Sequence, residues 1–540
     1  MVVLKGTKVV SGIAIGKLVV FMHPDKHISR TCVEDTDAQI KMFNDARVSA
    51  IQQLEEIYES SVEYLGEVNA SIFVAQEMLL EDTQYIDYVE KQIKENSYNA
   101  AYAVALASDE FSRLFTSIED KYMQSHVADV RDVSERLLRI LCGSESEITD
   151  PGEPCILASD DFNAGDIIQF NRENVLGLAT MFGSQASHAS ILAGTMGLPS
   201  VVALGQEMLS IYDGRLAVLN GIKGELIIDP DKRTLERMKR KQKEYEEQQK
   251  MMLLLKGKNN ITKSGSYINV YANIGSAEGV ETALLYDAGG IGLFRSEFIY
   301  MESPTYPSEE EQFLIYKEVL EKMRGRKVII RTLDLGTDKQ ASYFRPEKEV
   351  NPALGYRAIR ISLSQPGIFK TQLRALYRAS VYGNLDILFP LIISVDEVLK
   401  IKKMIKEVTD ELDAEGIPYR KEIRLGIMIE TPAAVMISDK LAKHVDFFSI
   451  GTNDLTQYTL AIDRQNPKLE MYFTSMHPAV YKMIEMTVQN AHKAGIPVDI
   501  CGEAAADLEY THKFIEMGID ALSVSPNMVL PLRKRIRECE

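Results

Sequence analysis

The sequence predicts an α/β protein in which a C-terminal (β/α)8 barrel follows a smaller α/β domain that carries an inserted helical bundle. Between residues 261 and 540, eight short apolar runs are each followed by a helical stretch, which is the repeat of a β/α barrel. Upstream, apolar positions recur at helical spacing from Glu34 to about Cys142, between two groups of strand-like segments.

The segment from Thr7 to Met22 alternates β-branched and small residues, which predicts one or two strands. Short apolar runs return after Gly143 and predict a small mixed α/β unit. Because the first strands have no other sheet to join, we expect them to belong to this later unit. The later runs are Cys155 to Ala158, Val175 to Met181, Ser200 to Leu204 and Leu216 to Asp229.

The stretch between these strands predicts four or five helices, with breaks near Gly66, at Glu81-Asp82 and at Asn96-Ser97. After the α/β unit, a charge-rich helix from Asp231 to about Lys256 is expected to be a linker. The expected barrel strands are Ile268 to Ile274, Gly290 to Phe294, Val328 to Leu335, Leu385 to Ile393, Leu425 to Ile429, Phe447 to Gly451, Val498 to Cys501 and Ala521 to Val524.

Charge and cysteine content exclude several classes of protein. With 61 basic and 78 acidic residues the net charge is -17, which disfavours nucleic acid and favours a basic protein partner, for which the acidic helical bundle is a candidate dock. The five cysteines show neither a disulfide framework nor zinc-ligand spacing, so we expect a reducing, cytoplasmic setting. No window is apolar for long enough to predict membrane insertion.

Polar side chains stand at the ends of the expected barrel strands, where barrel active sites lie. They are Arg295, Arg331, Glu430, Asn453, Asp454 and Cys501, with Arg464 in the loop after Asp454. Guanidinium groups match carboxylate and phosphate oxygens, so this set predicts a site for a small polyanion. Glu430 and Asp454 offer hard oxygen ligands that suit Mg²⁺, although Glu430 could instead pair with a barrel arginine.

Two further residues are candidates for chemistry. Cys501 is by default a small buried apolar residue, but beside an anion site its thiol can protonate a carbanion or enolate. His188 follows a loop of small residues near an expected helix N-terminus, which favours an anion, so its imidazole is a candidate phosphoryl acceptor. A capping or packing role for His188 is the alternative at this point.

Longer motifs give the chain a family resemblance. Gly183 to Leu204 resembles the phosphohistidine segment of enzymes that use phosphoenolpyruvate, and Gly426 to Ala434 with Asp446 to Tyr458 resembles their barrel signature. Together with Phe294-Arg-Ser-Glu-Phe, Arg331-Thr-Leu-Asp, Asn351-Pro-Ala-Leu-Gly-Tyr-Arg and Cys501-Gly-Glu, these motifs cover nearly the whole chain. They resemble enzyme I of the bacterial sugar phosphotransferase system.

The resemblance implies a role for each candidate residue. His188 would be the nucleophile, Cys501 would protonate the enolate to give pyruvate, and Glu430 with Asp454 would bind Mg²⁺. The residues expected to hold phosphoenolpyruvate are Arg295, Arg331, Asn453, Asp454 and Arg464.

It also implies a division of the chain. Residues 1–22 plus 143–230 would form the phosphohistidine domain, and residues 23–142 a helical domain that docks the carrier protein HPr. Residues 231–260 would form the linker helix, and residues 261–540 the barrel, which binds phosphoenolpyruvate and forms a homodimer.

The chain departs from the family pattern in more than one segment. Asp334-Leu-Gly-Thr-Asp-Lys stands where the family usually has Asp-x-Gly-Gly-Asp-Lys. The family usually shows Gly-Gly-Arg-Thr before the Ser-His pair and Thr after it, whereas this chain has Gly183-Ser-Gln-Ala and Ala189. A regulatory paralogue that binds phosphoenolpyruvate without passing on phosphate is therefore an alternative. A dikinase that makes phosphoenolpyruvate from pyruvate and ATP is another, but residues 34–142 lack a phosphate-binding glycine loop.

Overall fold

A computed structural model describes the chain except for residues 22–27, 118–120, 144–151, 163, 170–173, 185–186, 206–209, 278, 304, 336–348, 350, 465, 467–468 and 470–475. For His188 the description covers the backbone only. The chain divides into two compact units, Met1–Gln249 and Lys250–Glu540.

The first unit contains a mixed sheet. Its strands are β1 (Val2–Lys5), β2 (Thr7–Val10), β3 (Ile13–Phe21), β4 (Cys155–Ser159), β5 (Val175–Thr180), β6 (Ser200–Val202), β7 (Leu216–Asn220) and β8 (Glu225–Ile228). They lie in the order β1-β8-β7-β3-β4-β5-β6-β2. Strand β3 pairs in parallel with β4, with Lys17 opposite Cys155, so the N-terminal strands join the later α/β unit as expected. Strand β1 was missed in the sequence.

Helices fill the insertion between β3 and β4. They are α1 (Thr36–Glu81), α2 (Thr83–Asn96), α3 (Ala100–Ser117) and α4 (Lys121–Cys142). The breaks expected at Glu81-Asp82 and Asn96-Ser97 are confirmed, and Asp82 caps α2 by accepting a hydrogen bond from the Gln84 N–H. The break expected near Gly66 is wrong, because α1 continues through that residue.

The helices and the sheet of the first unit share one apolar core. Phe43 and Tyr85 from the helices belong to the same buried cluster as Leu157 and Leu178 from the sheet. Three further helices follow in the chain: α5 (Ala164–Gln169), α6 (His188–Thr195) and α7 (Lys232–Leu253). The last of these is the charge-rich helix predicted from Asp231 onward.

The second unit is the predicted barrel, closed by eight parallel strands. They are β9 (Asn269–Ile274), β10 (Gly290–Arg295), β11 (Lys327–Arg331), β12 (Asn384–Phe389), β13 (Arg424–Ile429), β14 (Phe447–Ile450), β15 (Val498–Ile500) and β16 (Ala521–Val524). Strand β16 pairs with β9 and closes the barrel. The predicted fold class is therefore confirmed.

Helices surround these strands and bury the outer faces of the barrel. They are α8 (Gly279–Leu285), α9 (Glu297–Glu302), α10 (Glu309–Lys322), α11 (Ile359–Ser364), α12 (Pro366–Ala379), α13 (Val395–Glu415), α14 (Pro432–Met436), α15 (Ser438–Leu441), α16 (Thr452–Leu460), α17 (Pro478–Lys493), α18 (Thr511–Met517) and α19 (Val529–Glu538). In the described part of the chain, no helix is both long and apolar enough to cross a membrane.

The interior of the barrel is apolar in its middle and polar toward both ends. Leu293, Ile329, Leu388, Met428, Phe447 and Cys501 form one buried cluster. Because side chains alternate along a strand, residues two positions away from these also face inward. Arg295, Arg331 and Glu430 are therefore set at the carboxyl end of the barrel by the same pattern that fills its core.

Candidate active site

A cavity of about 590 Å³ opens at the carboxyl ends of the barrel strands. Its lining includes every barrel residue that the sequence analysis selected: Arg295, Arg331, Glu430, Asn453, Asp454, Arg464 and Cys501. Strand and loop residues separated by about two hundred positions in the chain are thus brought to one mouth, as a barrel of parallel strands requires.

Two buried arginines form the floor of this cavity. Arg331 ends β11 and is 7% exposed, and its guanidinium pairs with Glu297 and, at 2.8 Å, with Asp334 Oδ2. Arg357 is 5% exposed and lies 2.9 Å from Asp334 Oδ1 and 3.2 Å from Asp454 Oδ2. Asp334 therefore joins the two guanidinium groups.

Burial alone lowers the pKa of each of these guanidinium groups. The neighbouring carboxylates, Asp334 above all, outweigh that effect and raise both pKa values above the ordinary range. Both groups consequently carry a fixed positive charge at neutral pH, and both are already paired with buried carboxylates. Guanidinium groups held in this way can bind phosphate or carboxylate oxygens in a defined geometry.

The other two arginines of the cavity are more accessible. Arg295 is the last residue of β10 and is exposed. Arg464 has a side chain that is 37% exposed, and its guanidinium lies 3.4 Å from Asp454 Oδ1. The site therefore combines two kinds of arginine. Those on the floor are buried and fixed, and those at the rim are exposed and free to adjust to a ligand.

Glu430 follows β13 and is held in place by the backbone. Its Oε1 accepts a hydrogen bond of 2.6 Å from the Leu391 N–H, and Leu391 adopts a left-handed conformation with φ of 55°. Gly451 passes so close that a Cβ on it would lie 2.8 Å from Glu430 Oε2. Burial, and after it the charges of Asp454 and Asp334, raise the pKa of Glu430 to about 8.

Glu430 and Asp454 have the donor atoms that a divalent cation requires. Glu430 and Asp454 are 2% and 6% exposed and supply only oxygen donors. Burial, and after it the charge of Asp454, raise the pKa of Glu430, and a bound cation would offset both effects. Within the described residues, no group of three or more His, Cys, Asp or Glu side chains could hold a metal. Mg²⁺ suits such a site, because it commonly takes one or two carboxylates together with substrate oxygens.

Asn453 is fixed by reciprocal hydrogen bonds with Glu503. Its side-chain N–H donates to Glu503 Oε1, its side-chain oxygen accepts from the Glu503 N–H, and both distances are 2.9 Å. The pair joins the first turn of α16 to the segment after β15. It therefore sets which face of the Asn453 amide is presented to the cavity.

Cys501 lies directly after β15 and is 4% exposed. Its Sγ is 3.7 Å from the carbonyl oxygen of Ile450. Burial, and after it the charge of Asp499, raise the pKa of the thiol to about 12. The group is thus protonated at neutral pH, which is the state that a proton donor requires.

His188 belongs to the first unit and is the first residue of α6. Ser187 caps this helix by accepting a hydrogen bond of 3.2 Å from the Ser190 N–H. The structure thus places His188 at a helix N-terminus, as the sequence predicts. The departure from the family pattern falls partly outside the described residues, which omit Gln185 and Ala186, whereas Ala189 is buried in α6.

The sequence analysis did not select Arg357, Asp334 or Glu503 as site residues. Arg357 lies in a loop after the short turn Pro352–Leu354, so the rule that selects strand ends does not reach it. The available signal was its place in the motif from Asn351 to Arg357. Asp334 and Glu503 each follow a selected residue within three positions and could have been chosen on that basis.

Comparisons with known proteins show which family the chain resembles along its length. The family model described as the PEP-binding domain of PEP-utilising enzymes matches residues 249–540. The models for the N-terminal domain and the mobile domain of the same enzymes match residues 5–126 and 151–224.

Curated relatives match over almost their full length. The phosphoenolpyruvate-protein phosphotransferase of Bacillus subtilis (strain 168) is 38% identical over 536 residues, which cover 99% of this chain and 94% of that protein. The protein of the same name from Staphylococcus carnosus (strain TM300) is 36% identical over 537 residues, or 99% and 93% of the two chains. The chain therefore belongs to the phosphoenolpyruvate-protein phosphotransferase family of PEP-utilising enzymes.

Proposed function

We propose that this protein transfers the phosphoryl group of phosphoenolpyruvate to His188 and then to a histidine of the carrier protein HPr, releasing pyruvate. This is the first step of the sugar phosphotransferase system. The observation that carries the proposal is one cavity of the barrel in which four arginines, five carboxylates, two amides and a buried thiol converge. Membership of the phosphotransferase family supports it.

In the first step, His188 attacks phosphorus, an N–P bond forms, and the bond from phosphorus to the enol oxygen breaks. Arg295, Arg331, Arg357 and Arg464 hold the phosphate and carboxylate groups and stabilise the charge that moves onto the enol oxygen. Asn453 contributes a fixed amide. This step requires His188 to enter the barrel cavity, and closure there excludes water that would hydrolyse the phosphoryl group.

The enolate of pyruvate that leaves the phosphoryl group must be protonated at its methylene carbon. Cys501 is the proposed donor, because its thiol is buried, protonated and part of the cavity lining. Protonation converts the enolate to the more stable ketone and draws the transfer forward. Glu430 and Asp454 would hold Mg²⁺, which when bound neutralises phosphate charge and helps to orient the substrate.

The second step requires His188 to meet HPr, for which residues 23–142 are the proposed dock. Acidic residues clearly outnumber basic ones in this segment, which suits a partner with a basic or neutral face. Helix α1 also presents the apolar side chains of Met42 and Met78, which are 46% and 67% exposed. We propose the remaining division on the same basis: residues 1–22 plus 143–230 carry the phosphohistidine, 231–260 link the two parts, and 261–540 bind phosphoenolpyruvate and form a homodimer.

The test is to incubate the purified protein with phosphoenolpyruvate and Mg²⁺, with and without HPr, and to locate acid-labile phosphate by mass spectrometry. We expect phosphate on His188 in both cases and on HPr when it is present. His188→Ala is the matched control and should accept none while still binding phosphoenolpyruvate.

The other outcomes separate the alternatives. Binding of phosphoenolpyruvate without phosphate on His188 or HPr would contradict the proposal and indicate a regulatory paralogue. Phosphate on His188 but never on HPr would show that the acceptor is a different carrier. Family membership already disfavours a dikinase.

A further inference from the structure

A second acid lies behind the proposed proton donor on the same strand. Asp499 of β15 precedes Cys501 by two residues, so strand alternation turns both side chains toward the barrel interior. Ser449 of β14 is the register partner of Asp499. Ser449 is fully buried, and Asp499 is 6% exposed. The three side chains therefore form a short polar column inside an otherwise apolar core.

The Ser449 hydroxyl lies close enough to act on both of its neighbours. Burial raises the pKa of Asp499 to about 7 and that of Cys501 to about 12, and the hydroxyl opposes both increases. Among the described residues, however, neither Ser449 Oγ nor Asp499 Oδ1 makes a hydrogen bond of standard geometry. Buried polar groups are seldom left in this state, so the column calls for an explanation other than stability.

Charged and titratable groups face Asp499 from several other strands. They are Tyr271 of β9, Lys327 of β11, Asp386 of β12 and Asp520, which precedes β16. Lys327 Nζ lies 2.9 Å from Asp386 Oδ2, and the Lys327 side chain is 24% exposed. Because Lys327 is the first residue of its strand, this cluster reaches solvent at the end of the barrel opposite the substrate cavity.

We propose that Asp499 and Ser449 form a proton relay that returns a proton to Cys501 after each turnover. The inference rests on the proposed function, because only a Cys501 that has protonated the enolate needs a new proton. The Ser449 hydroxyl proton moves to the Cys501 thiolate, and the proton of the Asp499 carboxylic acid moves to the Ser449 oxygen. Asp499 then regains a proton from water at the Lys327 end.

The direction of this transfer is favourable. An acid with a pKa of about 7 readily gives its proton to the thiolate of an acid with a pKa of about 12. The positive charge of Lys327 stabilises the Asp499 carboxylate that the transfer leaves behind. The relay thus lets the thiol be regenerated even while product blocks its access to water from the cavity.

The relay predicts a difference between the first turnover and those that follow. With full-length protein, phosphoenolpyruvate, Mg²⁺ and excess HPr, Asp499→Asn and Ser449→Ala should form the first pyruvate and phosphohistidine at the wild-type rate, since Cys501 begins protonated. Their steady-state rates of pyruvate formation should fall at least tenfold. Asp439→Asn, at an exposed aspartate of α15 outside this cluster, should keep the wild-type ratio of the two rates.

Two further readouts separate proton supply from a loss of packing. In the wild type, the ratio of steady-state to first-turnover rate should fall as pH rises through about 7, because only protonated Asp499 can donate. In Asp499→Asn this pH dependence should disappear. Added imidazole buffer should restore the steady-state rate of Asp499→Asn without changing its first turnover.

Two results would overturn the relay. The first is that Asp499→Asn and Ser449→Ala both keep the wild-type ratio of steady-state rate to first-turnover rate. The second is that one of these variants unfolds at the wild-type temperature but has a slowed first turnover. A wild-type protein that forms neither pyruvate nor phosphohistidine in its first turnover would overturn the proposed function instead.

Discussion

At the scale of single residues, Arg357 shows how much of the site depends on buried charge pairs. Its guanidinium contacts Asp334 and Asp454 and also donates to the Tyr458 hydroxyl at 3.3 Å. Without Arg357, two buried carboxylates each lose one guanidinium partner, although Asp334 keeps Arg331 at 2.8 Å and Asp454 keeps Arg464 at 3.4 Å. We therefore expect the arginine to stabilise the barrel as well as an anion in the cavity.

We expect Arg357→Met to raise the KM for phosphoenolpyruvate at least tenfold and to lower the free energy of unfolding by about 3 kcal/mol, the usual cost of breaking a buried ion pair. Arg240→Met, at a side chain that is 74% exposed, should change neither quantity measurably. Steady-state kinetics and denaturant unfolding test both expectations. An unchanged KM would show that Arg357 is purely structural.

Asp132 of α4 is a second informative residue, because its neighbours are mostly acidic. Burial, and after it the charges of Asp129 and Glu135, raise its pKa to about 8. Within the described part of the chain, its carboxylate accepts a hydrogen bond of 3.3 Å from the Gln76 side-chain amide. The folded state thus binds a proton that the unfolded state releases above pH 4.

This difference predicts that the first unit loses stability as pH rises from about 4 to about 8, because its folded state must give up that proton. Asp132→Asn should remove this contribution and become more stable than the wild type toward pH 8. Asp87→Asn, at an exposed aspartate of α2, serves as the control. Thermal unfolding across this pH range provides the measurement, and parallel curves for wild type and Asp132→Asn would contradict the prediction.

At the scale of elements, α12 supports two strand ends from outside the barrel. Gln372 is fully buried, accepts a 2.9 Å hydrogen bond from the Leu333 N–H, and donates at 3.0 Å to Ser296 Oγ and to the Tyr316 hydroxyl. Leu333 and Ser296 closely follow Arg331 and Arg295 in the chain. One amide thus ties together the segments that carry two of the arginines.

Gln372→Leu should lower the free energy of unfolding by about 1–3 kcal/mol, because it leaves buried polar groups without a partner. It should also raise the KM for phosphoenolpyruvate, since both arginine-bearing segments lose a fixed neighbour. Thr371→Val on the same helix, at a partly exposed residue whose hydroxyl donates to the Gly367 carbonyl in the preceding turn, is the control. If Gln372→Leu is destabilised but keeps the wild-type KM, then Gln372 supports folding and does not position the arginines for substrate.

At the scale of the whole molecule, the two units have separate cores and can be tested separately. Residues 250–540 form a closed barrel that contains all the described lining residues of the proposed phosphoenolpyruvate cavity. We expect this fragment to unfold cooperatively and to bind phosphoenolpyruvate with Mg²⁺ in a calorimeter, without becoming phosphorylated. Residues 1–249 should accept phosphate at His188 from phosphorylated HPr. Failure of the barrel fragment to bind would show that the first unit completes the site.

Most helices and strands could be predicted from the sequence because apolar residues recur in it at regular spacing. The barrel strands are short apolar runs with charged residues at their ends. Arg331 and Glu430 could be selected as site residues from this position alone. Arg357 and Gln372 could not be predicted in this way. Arg357 lies in a loop, and Gln372 lies on a helix and acts through tertiary contacts that the sequence does not reveal. Strand β1 was missed because three of its four residues are exposed and it lies at the edge of the sheet.

The pairing of β3 with β4 also sets the order in which the chain can fold during synthesis. Lys17 is opposite Cys155, and β1 pairs with β8 through Val2 and Ile228. At about 5–20 residues per second, a ribosome needs on the order of ten seconds to pass from β3 to β4. The inserted helices α1 to α4 pack largely against one another, so they can assemble while the first strands still lack their partners. Chaperones that shield exposed strands should therefore bind nascent chains that end before residue 155 more strongly than longer ones.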